Sequence, residues 1–305
     1  MKLLLETLNS GAEYLAKRQV EDARLNMEHL LAHVLGCRRL DLYLRFDLAL
    51  EEAQLQPLRV LLKRRGEGEP LQHLLGTVPF YGSDFVSDAR ALIPRPETEH
   101  LVHLLVEKKL AEKVPGTVLD MGTGSGCIGL SLAKAWPGAQ VTLADVSEDA
   151  LELARLNATR LKLEGRNVRF VRSDLFEELQ GHQFDLIVAN LPYIPTGEMG
   201  SLSREVLRDP RLALDGGESG LEIVDRLIEG CPARMKKGGM LALELHHDQA
   251  NAVLNRLQLA GFSEMHGAQD LSGIERFVFA TAPEIDVDAE VVEAVETESV
   301  AEEDR

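Results

Sequence analysis

Apolar residues recur at helical spacing through the first 75 positions. Leu3, Leu4, Leu8 and Leu15 mark one amphipathic helix. Leu25, Met27, Leu30, Leu31, Val34 and Leu35 mark a second, with Gly36 as its natural stop. A third, short helix is predicted over Arg39–Phe46 and a fourth from Glu51 to about Arg65. From Leu71 to Val86 the pattern reads as a hairpin, broken by Pro79 and Gly82. Pro94 and Pro96 fix an extended segment, and Pro96 leads into a helix predicted to run to about Lys113. Glu97 and Glu99 suit the positive end of that helix. Beyond the linker Val114-Pro-Gly the pattern alternates. Strands are predicted at 117–121, 140–145, 168–172, 184–189, 239–245 and 274–280, with a shorter one near 263–266. Helices are predicted at 126–135, 147–162, 219–235 and 247–260. Such alternation predicts an α/β domain whose mostly parallel sheet is covered on both faces. The chain then divides into a helical domain (1–75), a hairpin with a linker helix (76–115), the α/β domain (116–282) and a tail (283–305).

Charge changes the picture at the tail. Glu284 to Arg305 holds ten acids against one arginine, so it carries nine of the seventeen net negative charges and leaves eight on the rest. It has no Phe, Tyr, Trp, Leu or Met, and is expected to stay disordered. The acidic balance elsewhere argues against tight non-specific nucleic-acid binding, which needs clustered Lys and Arg. Cys37, Cys127 and Cys231 are far apart and show neither metal spacing nor a disulfide framework, which fits a reducing compartment. The opening Met1-Lys-Leu-Leu-Leu-Glu-Thr is too short an apolar run for a signal peptide, and no run of roughly 18 apolar residues exists. A soluble cytoplasmic protein, with no membrane contact, is expected.

In a parallel sheet the ligand lies beyond the carboxyl ends of the strands, so the candidate chemistry is read there. After the first strand comes Gly122-Thr-Gly-Ser-Gly126, whose alternate glycines permit positive φ and a close ligand approach ahead of a helix N-terminus. Gly124-Ser-Gly-Cys-Ile-Gly129 matches the G-x-G-x-x-G pattern, a weak signal by itself. After the second strand, Asp145 is placed to accept both ribose hydroxyl protons, since Ser147 suits the helix cap. A nicotinamide dinucleotide and S-adenosylmethionine both fit to this point. Asp174 and Leu175, after the third strand, suit the exocyclic amine and the ring of adenine. The fourth strand ends in Asn190-Leu-Pro-Tyr193. A dehydrogenase has no use for that tetrapeptide, whereas an enzyme methylating a planar –NH2 group does. The lone pair of such a nitrogen is delocalised, and two acceptors holding its N–H bonds would aim it at a sulfonium methyl. The Asn190 side-chain oxygen and the Leu191 carbonyl are those acceptors, and Tyr193 would cover the flat face. The same acceptors stabilise the charge that develops on nitrogen.

Together these residues resemble the protein-(glutamine-N5) methyltransferases that act on peptide-chain release factors. The resemblance spans roughly residues 1–280. It rests on Phe80-Tyr-Gly with Leu92-Ile-Pro-Arg-Pro-Glu-Thr-Glu99, on Leu119-Asp-Met-Gly-Thr-Gly-Ser-Gly-Cys-Ile, and on Asn190-Leu-Pro-Tyr-Ile194. Arg211-Leu-Ala-Leu-Asp-Gly-Gly-Glu-Ser-Gly-Leu221 is also similar. It implies a Rossmann-like seven-stranded S-adenosylmethionine-dependent fold behind a helical substrate-recognition domain. It also implies methylation of the glutamine in the Gly-Gly-Gln tripeptide of bacterial release factors, by a monomer that contacts no nucleic acid directly. Gly122, Thr123, Gly124, Ser125 and Gly126 would line the methionine part of the cofactor, Asp145 its ribose, and Asp174 with Leu175 its adenine. Asn190, Leu191, Pro192 and Tyr193 would hold the glutamine. Methylation of a ribosomal protein glutamine, or less readily of a nucleic-acid amine, is the alternative. Two departures stand out. Leu191 replaces the family's usual proline, and His246-His247 follow Glu244 where a glycine is expected. The histidine pair lacks metal spacing and reads as surface; no metal is expected.

Overall fold

The computed structural model describes residues 2–109, 114–163, 165 and 167–283. The disorder expected of 284–305 and the end of the helix expected to reach Lys113 therefore lie outside the described residues.

The amino-terminal part is a bundle with its own core. α1 (Leu4–Ala16), α2 (Ala23–Leu35), α3 (Glu52–Gly66) and the one-and-a-half-turn α4 (Leu71–Leu75) pack Leu4, Leu8, Met27, Leu30, Leu58 and Leu74 together. A two-residue ribbon, β1 (Lys2–Leu3) with β2 (Ala49–Leu50), ties the chain start to the head of α3. Gly36 ends α2 in the left-handed conformation that favours glycine. Two expectations change here. Arg39–Leu44 winds as a 3-10 helix, since its single buried side chain, Leu42, gives too little packing for a longer α-helix. Leu71–Leu75 is helical and not part of the hairpin, because Leu71, Leu74 and Leu75 pack on the bundle core before Gly76 (φ +73°) stops the turn.

The hairpin itself is β3 (Thr77–Phe80) with β4 (Ser83–Val86), joined by Tyr81 and Gly82, both at positive φ as a tight two-residue turn requires. α5 (Pro96–His103) follows and loosens into π-helix over Leu104–Lys109.

The remaining strands form one seven-stranded sheet. They are β5 (Thr117–Met121), β6 (Gln140–Asp145), β7 (Val168–Arg172), β8 (Phe184–Asn190), β9 (Met235–Glu244), β10 (Ser263–Gln269) and β11 (Glu275–Thr281), in the order β10-β11-β9-β8-β5-β6-β7. Pairs among β9, β8, β5, β6 and β7 are parallel, and β11 runs antiparallel to β9 and β10. Period-two alternation splits each strand between two cores. Val118, Leu143, Leu186 and Val188 face α5, α6 (Cys127–Ala135) and α7 (Glu148–Arg160). Leu119, Ala144, Ile187 and Ala189 face α8 (Glu222–Gly230) and α9 (Ala250–Leu259). α8 is shorter than the 219–235 expected, because Pro232 cannot continue a helix and opens a 3-10 turn. β9 begins earlier than residue 239, crossing a register shift against β8 with Gly238 at φ +69°. None of the helices among the described residues is long and apolar enough to cross a membrane.

Between β8 and α8 the chain makes three short 3-10 turns, Thr196–Ser201, Val206–Arg208 and Arg211–Ala213. This segment bridges the two parts of the molecule. Arg65 of α3, almost fully buried, pairs with Glu205, and Arg204 donates to the Arg18 carbonyl at 2.8 Å. Asp209, buried, accepts from Arg95 at 2.6 Å and from the Ile93 N–H at 3.4 Å.

Candidate active site

The carboxyl ends of β8, β5, β6 and β7 open on one cavity of about 280 Å³. Sheet order sets the order of its wall: Asn190, Leu191 and Pro192 at β8, then Gly122 to Ser125 at β5, Asp145 at β6, and Ser173 to Leu175 at β7. Three strand spacings carry that row across about 14 Å. Leu92, Pro94 and Thr98 close one side, and Pro210, Leu212 and Ala213 another.

The glycine turn is held from below. Gly122, Gly124 and Gly126 all have positive φ. Asp120, with no exposed surface, accepts from the Thr123 hydroxyl and from the Gly129 N–H at 2.8 Å. Burial pushes its carboxyl up to about 6 against those two bonds, with the charge of Asp145 pushing the same way. A Cβ on Gly122 would lie 2.7 Å from Leu191 Cδ2, so glycine there lets β8's end close on the turn. Asn157 of α7, fully buried, joins three parts: its Oδ1 accepts from the Val86 N–H at 2.6 Å, and its Nδ2 donates to the Ser125 carbonyl at 2.9 Å and the Val86 carbonyl at 3.2 Å.

Asp145 accepts from the Gly124 N–H at 2.8 Å and the Ser147 N–H at 2.9 Å, while the Ser147 hydroxyl caps α7 through the Ala150 N–H. Burial raises the Asp145 carboxyl against those backbone bonds. At the far end, Asp174 meets Arg226 at 3.0 Å. Leu175 sits at φ +48°, rare for a leucine, in a turn fixed by the Ser173 hydroxyl donating to the Leu175 carbonyl.

At the near end Asn190 Nδ2 donates to the Thr98 hydroxyl at 3.0 Å. Among the described residues no donor is bonded to Asn190 Oδ1 or to the Leu191 carbonyl. The segment Arg211–Leu221 braces the tetrapeptide. Ile194 pairs with Asp215, and the Gly216 N–H donates to the Ile194 carbonyl. A Cβ on Gly216 would stand 2.7 Å from the Pro192 carbonyl oxygen. Gln249 adds a bond from its Nε2 to the Tyr193 carbonyl at 3.0 Å.

Of the residues singled out by sequence, Gly126 and Tyr193 do not line the cavity. Gly126 caps α6, and a Cβ there would crowd Leu130 and Ala154. The Tyr193 ring turns toward His246, with centroids 6.0 Å apart, and burial with the charge of Glu244 pushes its hydroxyl up to about 12. His246 is thus half-buried and not a plain surface residue; its Nδ1 lies 2.8 Å from Asp248 and its Nε2 3.2 Å from His247 Nδ1. A ring nitrogen of His246, one of His247 and a carboxylate oxygen of Asp248 lie within 4.8 Å of one another. Thr98, Asp120, Asn157, Asp209, Glu244 and Gln249 escaped the sequence reading. Thr98 and Asp120 lie within the motifs that carry the resemblance, and Glu244 and Gln249 within the segment that departs from it; none of the four was given a role.

The wall has the features that an extended nucleoside joined to an amino acid requires. Backbone without Cβ atoms lies at β5, a carboxylate with spare lone pairs at β6, and an apolar slot with one acid at β7. Residues 6–76 match the family model of the PrmC N-terminal domain, and residues 98–218 that of the methyltransferase small domain. The chain is 44% identical, over 87% of its length and 92% of the relative's, to the release factor glutamine methyltransferase of Geobacter sulfurreducens. It is 40% identical, over 90% and 95%, to that of Chlorobaculum tepidum. Among solved structures the hMettl16 catalytic domain, in complex with the MAT2A 3'UTR hairpin 6, shares the fold. Its TM-score is 0.54 and its identity 14%, covering 78% of this chain and 84% of that one.

Proposed function

The chain belongs to the release factor glutamine methyltransferase family, and we propose that it methylates the side-chain amide of the glutamine in the Gly-Gly-Gln tripeptide of bacterial translation release factors. S-adenosylmethionine supplies an electrophilic methyl group on sulfonium sulfur. The carrying observation is that Asn190 and Leu191, whose acceptor oxygens take no hydrogen bond among the described residues, line the same cavity as the glycine turn and Asp145.

Asn190 Oδ1 and the Leu191 carbonyl accept the two N–H bonds of the glutamine amide. That grip turns the nitrogen lone pair toward the methyl carbon, fixing the in-line geometry that an unheld amide rarely reaches. The nitrogen–carbon bond forms as the carbon–sulfur bond breaks, and both acceptors stabilise the positive charge gained by nitrogen. The product amide then loses one proton to water, so no dedicated base is needed. Gly122 to Ser125 bind the methionine part of the cofactor, Asp145 the ribose, and Asp174 with Leu175 the adenine. Leu191 keeps the carbonyl that the family's proline would present.

The domains divide the work. Residues 1–75 recognise the release factor, with Leu40, Tyr43 and Leu44 exposed on the 3-10 helix as its apolar contact. Residues 76–115 carry the hairpin and linker helix, and 116–282 perform transfer. The protein acts as a cytoplasmic monomer without direct nucleic-acid contact.

Incubation with labelled S-adenosylmethionine and a purified release factor tests this, beside a release factor whose Gly-Gly-Gln glutamine is alanine. Label in the first and none in the second is expected. Label in neither, with transfer to ribosomal proteins, overturns the substrate assignment.

A further inference from the structure

Glu244 ends β9 directly beside Asn190, its partner in the parallel register. It is 3% exposed, and its Oε2 has no hydrogen-bond partner among the described residues. A carboxylate in such a place is costly, and a leucine or glutamine would fill the space more cheaply. Its neighbours suggest what it does. Asn190 Nδ2 donates to the buried Thr98 hydroxyl at 3.0 Å, and Thr98 and Asn190 each draw the pKa of the Glu244 carboxyl down.

We propose that Glu244 is a positioning residue for methyl transfer: through Thr98 and directly, it takes up both N–H bonds of the Asn190 amide and so turns Oδ1 into the cavity. This rests on the reading of Asn190 as an acceptor for the substrate amide. The logic is one of donors and acceptors. An ionised carboxylate only accepts, so the Thr98 hydroxyl donates to it and has its oxygen free to accept from Asn190. With the amide flipped, Oδ1 would face the carboxylate, acceptor against acceptor, and two N–H bonds would face the N–H bonds of the substrate. A glutamine at 244 abolishes this preference, since its own –NH2 welcomes the flipped amide.

The protonation state of Glu244 follows. Burial pushes its carboxyl up to about 7, opposed by the Thr98 hydroxyl. Glu97 of the α5 first turn pushes it further up, and Arg276 of β11 and Asn190 pull it down. Tyr193 and the buried Cys127 of α6 also sense its charge. Because the folded value lies above the ordinary one, the charged form destabilises the fold as pH rises through it, and Glu244→Gln removes that burden.

The test compares wild type, Asn190→Ala, Glu244→Gln, Thr98→Val and Thr98→Ser by steady-state turnover on a release factor, calorimetry with S-adenosylmethionine and thermal unfolding at pH 8. Glu244→Gln is expected to lose on the order of 10²-fold in kcat. Its KM and cofactor Kd should stay within about threefold, and its melting temperature should be no lower than wild type. Wild-type kcat should fall as pH drops through the raised pKa of Glu244, about 7, and the variant should lack that limb. Thr98→Val loses turnover comparably, and Thr98→Ser regains most of it. Glu244→Gln with wild-type kcat and an unchanged acid limb, beside an inactive Asn190→Ala, overturns the role of Glu244 alone. So does a Thr98→Val that turns over normally. Turnover that survives Asn190→Ala overturns the underlying reading of the site, and the proposal with it.

Discussion

Arg95→Met separates a pH-dependent ion pair from ordinary packing. Asp209 has a fully buried side chain and one arginine, Arg95, at 2.6 Å. Burial pushes its carboxyl up to about 6 from the ordinary 3.8, with Arg95 opposing. A carboxyl whose folded pKa is raised stabilises the fold below its ordinary value, and that contribution is lost as pH rises through about 6. Arg95 limits the loss. Without it the folded pKa climbs further, but the worst the group can then do is hold its proton. That costs about 1.4 kcal/mol per pH unit above the value it had with Arg95 present, hence about 3 kcal/mol at pH 8. At pH 5 the carboxyl is mostly protonated with or without Arg95, leaving roughly 1 kcal/mol for the lost hydrogen bond. Thermal and urea unfolding of wild type and variant at pH 5 and pH 8 read this directly. At pH 8 the melting temperature should fall on the order of 5–10 °C, and far less at pH 5. An equal loss at both would refute the reasoning, because a packing defect does not titrate.

Asp145→Asn replaces one charge-assisted acceptor at the strand end and should weaken S-adenosylmethionine about 10- to 150-fold, read by calorimetry. Since burial raises the Asp145 carboxyl, wild-type affinity should fall as pH drops through that raised value while the variant's stays flat; a parallel decline in both would place the titrating group elsewhere. Leu191→Pro keeps the carbonyl but withdraws the side chain that packs on Gly122. It should cost about 1–2 kcal/mol of stability and leave turnover within about threefold; a near-complete loss of turnover would show that the leucine side chain or N–H takes part.

The sheet and its strand ends were legible because both are local. Alternating apolar runs give the strands; Asp145 and Asn190 are the last residues of two of them, and the glycine turn begins directly after a third. What the sequence hid is held across long separations. Asp209 meets Arg95 from a stretch of 3-10 turns without periodicity. Glu244 meets Asn190 only through the register of two strands. Asn157 reads as an ordinary polar position on α7, yet it ties together the hairpin, the helix and the glycine turn. Tyr193 shows the converse. Its place in the tetrapeptide suggested contact with the reacting group, but its ring lies near His246 and is not part of the cavity lining. Leu71–Leu75 misled because five residues suit a strand or a helix turn equally, and only packing on the bundle decides.

The central claim is a division of labour along the sheet, with β8's end gripping the methyl acceptor and the ends of β5, β6 and β7 the cofactor. Calorimetry and single-turnover transfer on Asn190→Ala test it together. Cofactor affinity close to wild type, with transfer reduced by two orders of magnitude or more, is the result the account predicts. Transfer that persists, or cofactor binding that is lost in a protein still melting at the wild-type temperature, would contradict it.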